Sequence, residues 1–349
     1  MKSIGYIGLD IHKKVIAFCI KINSGAVIEE GKIDATRSAL TTWVARIDRP
    51  WIGAMEATLF TGWIYDFLKP HAQELKVAHP KMLKAISASK KKNDRVDAAK
   101  IADLLRCDLL PECHMADKQT RELRRALRYR NLVVRQAVLM KNKMAGLLME
   151  VGAEYNKDKL HGKGYFDNLI TTVEEVPESV IDLLKTSRAS LEMFQAVEKR
   201  LRNALKNHPA LRERVERLSS ISGVGDMTAL TWALEIGDVS RFSSRRKVIS
   251  YCGLCSAQKE SAGKSYRSPL SKDRNKHLQT VLIEAAKIAP RWNPELAALY
   301  ERELARGNRN RATLAVARKL AVWLLAVDRK NEPFQTRTKE DKTAKQQAA

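Results

Sequence analysis

Cysteine, aromatic residues, long apolar runs and acidic charge are all scarce in this 349-residue chain. Five cysteines, an odd number without framework spacing, exclude a small disulfide-scaffolded fold and suit reduced thiols. The longest apolar run near the C-terminus, AVWLLAV at 321–327, falls far short of the ~20 residues a membrane helix needs, so no membrane partner is expected. The opening segment MKSIGYIGLDIHKK has its apolar run broken by Asp10 and lacks a small-residue cleavage site, which argues against a secretory signal and for the cytoplasm. Against 40 acidic residues stand 63 Lys and Arg, a formal charge of +23. Such an excess favours a polyanionic partner through counterion release and electrostatic steering, with nucleic acid the leading candidate.

The first part of the chain alternates element types. IGYIGLDI, VIAFCIKI, GAVIEEGKI, WIGAMEA and LKVAHP read as strands, while SALTTWVARI and GWIYDFLKPH carry a helical period. This is an α/β layout, a mixed sheet covered by helices. From residue 118 the texture changes to a long helix striped with Arg121, Arg124, Arg125, Arg128, Arg130, Arg135, Lys141 and Lys143, opposed only by Glu122 and Glu150 between 121 and 150. That imbalance points to phosphate contact rather than a merely solvated face. A second long helix should begin near Pro177, with Val180, Leu184, Leu191, Phe194, Leu201 and Leu205 on a heptad-like seam. Such a seam suits a short coiled coil or packing within the chain.

Acidic residues sit at the ends of predicted core elements. Asp10 ends the first strand pattern and Glu56 a later one; Asp94 and Asp97 open a helix after Lys90, Lys91 and Lys92. Carboxylates drawn together from such positions repel unless a cation binds among them. Mg²⁺ meets that need, because it takes oxygen ligands and stabilises charge in phosphodiester displacement. A D-x-x-D pair alone also marks an ordinary exposed helix start.

In order and separation, YIGLDIHK, AMEATLFTGWIYDFL and KKNDRVDAAKIADLL resemble the RuvC-like DEDD domain of transposases of the insertion-sequence-110 type, a group that includes the Piv DNA invertases. The resemblance implies an RNase H-like sheet with Asp10, Glu56, Asp94 and Asp97 as catalytic ligands of Mg²⁺. The chain departs from the group's usual EATGTY in reading EATLFTGW.

Farther on, SISGVGDMTA resembles a helix-hairpin-helix turn, in which Gly223 and Gly225 would let backbone amides approach phosphate. The segment VISYCGLCSAQKESAGKSYRSPLSKDRNKHLQTVL is similar to the C-terminal domain of the same transposases. By that resemblance Ser261 is the nucleophile, with Ser256, Ser265 and Ser268 as alternatives, and Lys259, Lys264 and Arg267 stabilise charge on phosphate. Cys252 and Cys255 form a lone C-x-x-C without a second pair, so they read as small buried residues rather than a zinc site. His12, close to Asp10, reads first as a surface or packing residue.

The resemblance therefore implies four regions. A RuvC-like domain ending in the basic helix spans 1–155 and a helical, coiled-coil-like segment 156–208. A mainly α-helical C-terminal transposase domain spans 209–329, and a disordered tail 330–349. It implies a Mg²⁺-dependent recombinase acting on donor and target double-stranded DNA through a composite acidic and serine site. A structured non-coding RNA is its expected guide, and a homodimer or homotetramer its expected assembly, nucleoid-associated when bound to DNA. The competing readings are a metal-dependent Holliday-junction-type nuclease without serine chemistry and a non-catalytic nucleic-acid-binding protein.

Overall fold

The computed structural model describes residues 3–86, 93–173 and 176–335. The chain divides into two compact units, Met1–Lys118 and Gln119–Ala349.

In the first unit, β1 (Gly5–Ile11), β2 (Val15–Lys21) and β3 (Val27–Asp34) form an antiparallel meander. After α1 (Arg37–Ala45) the strand β4 (Trp51–Glu56) joins β1 in parallel, and after α2 (Thr61–Leu68) the strand β5 (Glu74–Ala78) joins β4 in parallel. The order β3-β2-β1-β4-β5 is a mixed sheet, compatible with the RNase H-like fold that the resemblance implies. Two further helices follow, α3 (Pro80–Ile86) and α4 (Asp94–Arg106).

The two faces of this sheet differ because strand side chains alternate. One face buries Ile7, Leu9, Ile16, Phe18, Met55 and Val77 against Leu40 and Trp43 of α1 and Ile64 and Leu68 of α2. The other face is lined by small residues, among them Gly8, Ala17, Cys19, Ala54 and Ala78, and receives α4 through Ala98, Ile101 and Leu105. A methyl group built on Gly8 would stand 2.0 Å from the Ala98 carbonyl oxygen and 2.5 Å from the Ala102 nitrogen. Helix backbone thus lies directly on strand backbone, with no side chain between them. Polar contacts fix the helix along its length: Lys21 Nζ meets Asp103 Oδ2 at 2.5 Å, and Arg106 Nη1 donates to the Asn23 carbonyl at 3.1 Å.

The second unit is helical. It comprises α5 (Lys118–Glu150), α6 (Lys163–Thr172), α7 (Glu178–Lys206), α8 (Pro209–Ser219), α9 (Asp226–Ile236) and α10 (Arg245–Tyr251), then a β6 (Ser256–Ser261) and β7 (Lys264–Leu270) ribbon, and finally α11 (Lys276–Ile288), α12 (Pro294–Ala305) and α13 (Arg309–Lys330). Helix α9 is buried on every side from Thr228 to Ile236, as its almost wholly apolar sequence demands. Around it close Leu211 and Leu218 of α8, Leu278 and Leu282 of α11, and Leu320 and Leu324 of α13.

Several expectations change here. The seam residues Leu184 and Leu191 of α7 are buried against Met144 and Leu148 of α5 and Phe166 of α6, so packing within the chain covers them and no coiled-coil partner is needed. Helix α5 falls almost wholly within the second compact unit. The segment around Ser261 is a two-stranded antiparallel ribbon. Within the segment expected as a tail, the Phe334 amide donates to Ser220 Oγ at 2.7 Å and its ring lies 4.7 Å from that of Trp323. Residues 336–349 lie outside the described residues. Among the described residues, no helix is long and apolar enough to cross a membrane.

The Gly8 contact is testable. Gly8→Ala should lower the stability of the first unit by at least ~1–3 kcal/mol, the range for overpacking a core. Denaturant unfolding of wild type and variant measures it, and a change below ~0.5 kcal/mol would show that α4 does not sit on Gly8.

Candidate active site

The small-residue face brings the acidic groups together. Asp10 lies on the same face of β1 as Gly8, two residues farther along, while Asp94 and Asp97 occupy the first turn of α4, one turn before Ala98. Asn93 starts the helix, its Oδ1 accepting the Arg95 amide at 3.0 Å, and the positive end of the helix dipole favours both aspartates. Glu56 ends β4 beside Asp10, one position beyond the registered pair Leu9 and Met55. The TLFT turn fixes the chain after Glu56: Thr61 Oγ1 donates to the Glu56 carbonyl at 2.8 Å and accepts the Thr58 amide at 2.7 Å.

His12 Nε2 stands 3.1 Å from Asp10 Oδ2 and 3.4 Å from Asp94 Oδ1. Lys32 of β3 reaches over Ala17, its registered neighbour, to bring Nζ within 3.2 Å of Asp94 Oδ2. Burial raises the Asp10 carboxyl above the ordinary aspartate value; the His12 ring opposes this, and the charges of Asp94 and Asp97 add to it. Asp94 is held below its ordinary value, first by the hydrogen bond from Lys32 and also by the nearby His12 ring. Among the described residues, Asp10, His12 and Asp94 offer ligand atoms within 4.8 Å of one another. Glu56 and Asp97 flank that group without belonging to it, and Lys90, Lys91 and Lys92 lie outside the described residues.

These residues fit a divalent cation. The donor set is carboxylate oxygen with one imidazole nitrogen, and the Asp10 carboxyl is raised first by burial and to a smaller degree by the charges of Asp94 and Asp97, a cost to its ionised form that a cation would relieve. Asp10 and Asp94 would hold it, supported by Asp97, Glu56 and His12. His12 is the residue that sequence reasoning undervalued; its signal was the D-x-H spacing at a strand end.

In the second unit, Ser261 is the last residue of β6 and is exposed, opposite Lys264 across the ribbon. Ala262 (φ 49°) and Gly263 (φ 76°) make the turn, both in the left-handed region that two-residue hairpins require. Lys264 and Arg267 are exposed, and the side chain of Lys259 lies outside the described set. Gly223 (φ 90°) approaches Ala289 so closely that an added Cβ would meet its Cβ at 2.4 Å, while Gly225 caps α9 and faces open space. At that helix start the Asp226 carboxylate pairs with Lys206 Nζ at 2.6 Å. The Cys252 thiol is fully buried and pushed up to about 12, which makes it inert at neutral pH.

Part of the basic stripe is paired within the second unit. Arg128 donates from Nε and Nη2 to the two carboxylate oxygens of Glu235, each at 2.8 Å, and Arg124 Nε donates to the Leu234 carbonyl at 2.9 Å. Arg124 is half-buried and Arg128, although paired with Glu235, is still 49% exposed; Arg125, Arg135 and Lys143 are exposed and Arg121 is half-buried. Glu235 itself is 0% exposed and also accepts Asn275 Nδ2 at 2.8 Å. The Tyr251 hydroxyl donates to its backbone carbonyl at 3.2 Å. Tyr251 and Asn275 bracket the segment carrying the ribbon, and the Asn275 amide donates to the Tyr251 carbonyl at 2.9 Å, so Glu235 anchors both roots of the ribbon. A charged residue inside the apolar run TALTWALEI was the signal that could have found it.

Two outcomes follow. Asp10→Asn should raise the melting temperature of the metal-free protein by a few degrees, since the ionised carboxylate costs stability, and should abolish stabilisation by Mn²⁺. Thermal shift with and without the ion checks both. For Glu235, burial raises its pKa, but the Arg128 bond and charge, Asn275 and Arg124 outweigh it and hold the group below the ordinary glutamate value. Its contribution is therefore present at neutral pH and lost as pH falls through the depressed value. Glu235→Gln should cost roughly 1–3 kcal/mol at pH 7, under the ~3–5 of a fully buried pair because Arg128 is 49% exposed. The gap should narrow in acid, as urea unfolding at both pH values would measure.

Two models of one transposase group match the chain. Residues 7–152 match the DEDD transposase model of the IS110 group, and residues 215–301 match the model described as transposase IS116/IS110/IS902 family. The transposase for insertion sequence element IS1328 of Yersinia enterocolitica is 26% identical, covering 93% of this chain and 97% of its own length. The transposase for insertion sequence element IS1111A of Coxiella burnetii is 27% identical over 93% of this chain and 90% of its own. The pilin gene-inverting protein of Moraxella bovis is 30% identical over 38% of this chain and 42% of its own. The chain belongs to the IS110 family of transposases, DNA-cleaving and rejoining enzymes.

Proposed function

We propose that the acidic site is the Mg²⁺-dependent centre of a RuvC-like, RNase H-like domain, and that it works with a nucleophilic serine, Ser261, to cut and rejoin DNA strands. The observation that carries this reading is the convergence of Asp10 and Asp94, from a strand end and a helix start, on the small-residue face of the sheet. Bound there, Mg²⁺ would neutralise charge on the reacting phosphate. The chain's own groups do the rest. Asp10 and Asp94 hold the site open to phosphate, and Lys32 keeps Asp94 ionised. The Ser261 hydroxyl attacks phosphorus and gives its proton to solvent, and the bond from phosphorus to one strand oxygen breaks, that oxygen taking a proton from solvent to leave as a strand hydroxyl. The phosphoserine ester conserves the bond for rejoining, since attack by another strand hydroxyl reverses the step and restores serine. Lys264, across the ribbon from Ser261, favours the charged phosphate.

The pilin gene-inverting relative supports a reaction that rejoins what it cuts. Synapsis of donor and target duplexes implies a dimer or tetramer. The exposed Arg125, Arg135 and Lys143 of α5 are suited to the backbone of a structured RNA guide, with base pairing reading the sequence. A second reading, metal nuclease chemistry alone, draws on the family's DEDD designation and on Ser261, whose hydroxyl has no hydrogen-bonded base among the described residues.

Incubation of the full chain with its native flanking DNA and Mg²⁺ decides between them. Wild type should form a detergent-resistant protein–DNA adduct, and Ser261→Ala should reduce it to background. Cleavage without any adduct, equal in wild type and variant, would establish the metal-only reading.

A further inference from the structure

The register of the ribbon sorts its residues onto two faces. Ser261 pairs with Lys264, Lys259 with Tyr266, Glu260 with Ser265 and Gln258 with Arg267. Because opposed residues share a face and successive ones alternate, Ser261, Lys264 and Tyr266 stand on one side and Gln258, Glu260 and Ser265 on the other. The second side satisfies itself: Gln258 Nε2 donates to Ser265 Oγ at 3.1 Å and to Glu260 Oε2 at 3.4 Å. The Ser261 side does not. Tyr266 is 67% exposed, and among the described residues no aromatic ring pairs with it and no hydrophobic cluster includes it. The ribbon forms a sheet only with itself, and such a ribbon fits a nucleic-acid groove.

An exposed tyrosine costs free energy in water, and its neighbours on this face are the candidate nucleophile and a lysine. Diagonal neighbours on a ribbon stand roughly 7–8 Å apart. That distance is about two nucleotides along a strand, whose stacked rise is ~3.4 Å. We infer that Tyr266 is a base-stacking residue, binding the nucleobase about two nucleotides from the phosphodiester attacked by Ser261, while Lys264 holds the intervening phosphate. The occupant is a DNA strand, chosen by the charge of Lys264 on the same face and by the family's substrate. The inference rests on the serine reading above. Stacking on a ring face tolerates every base, so Tyr266 places the strand without reading its sequence.

The test uses the full chain and a duplex of its native flanking DNA carrying 2-aminopurine about two nucleotides from the cleaved phosphodiester. Wild type, Tyr266→Phe and Ser261→Ala should quench the fluorophore alike, because the ring remains in each. Tyr266→Ala should lose the quenching and form adducts about 10-fold more slowly, within the range for removing one base–aromatic stack. Equal quenching and equal adduct rates in Tyr266→Ala would overturn the inference, as would loss of quenching in Tyr266→Phe. Adducts that persist in Ser261→Ala would instead remove the serine reading, with the quenching comparison still deciding whether Tyr266 stacks on a base.

Discussion

The acidic site depends on a contact that contains no functional group: the backbone of α4 against the backbone of β1 at Gly8. Asp94 and Asp97 begin the same helix whose Ala98 carbonyl and Ala102 nitrogen crowd the space a Gly8 side chain would need. A larger residue there would lift the helix and carry both carboxylates away from Asp10. The neighbouring strands keep the same rule, with Ala17 and Cys19 on β2 and Ala54 on β4 under the helix. Close packing thus fixes where charges meet, and the ion pairs of Lys21 and Lys32 with the helix hold the arrangement against its own repulsion.

The second unit solves a similar problem with a buried charge instead of small residues. A ribbon of two strands is marginally stable in water, so its roots must be fixed from below. Glu235, wholly buried in α9, does this by anchoring Tyr251 and Asn275, while Arg128 and Arg124 of α5 supply the countercharge. The exposed tip, with Ser261, Lys264 and Tyr266, is thereby mounted on the most deeply packed helix of the unit.

Much of this was legible in the residues. Alternation in the first five strands and the helical period of α1, α2, α5 and α7 come directly from side-chain burial, and Asn93 announces the start of α4. The ribbon was not legible from propensity, because SAQKES and KSYRSPL are rich in serine and charge; only the Ala262 and Gly263 turn marked it. The partners of the arginines on α5 were not legible, for a physical reason. A helix face shows its charge in the sequence but not its partner, and the partner of Arg128 lies 107 positions away. His12 was legible as a neighbour of Asp10 in sequence, but its approach to Asp94 depends on the α4 docking that only the fold supplies.

The most direct measurement is anomalous diffraction from crystals of the full chain soaked in Mn²⁺. The account expects an anomalous peak bound by Asp10 and Asp94 on the face beneath the start of α4, with Asp97, Glu56 or His12 completing the shell. Mn²⁺ bound elsewhere, with Lys32 still paired to Asp94 and no density beside Asp10, would contradict it.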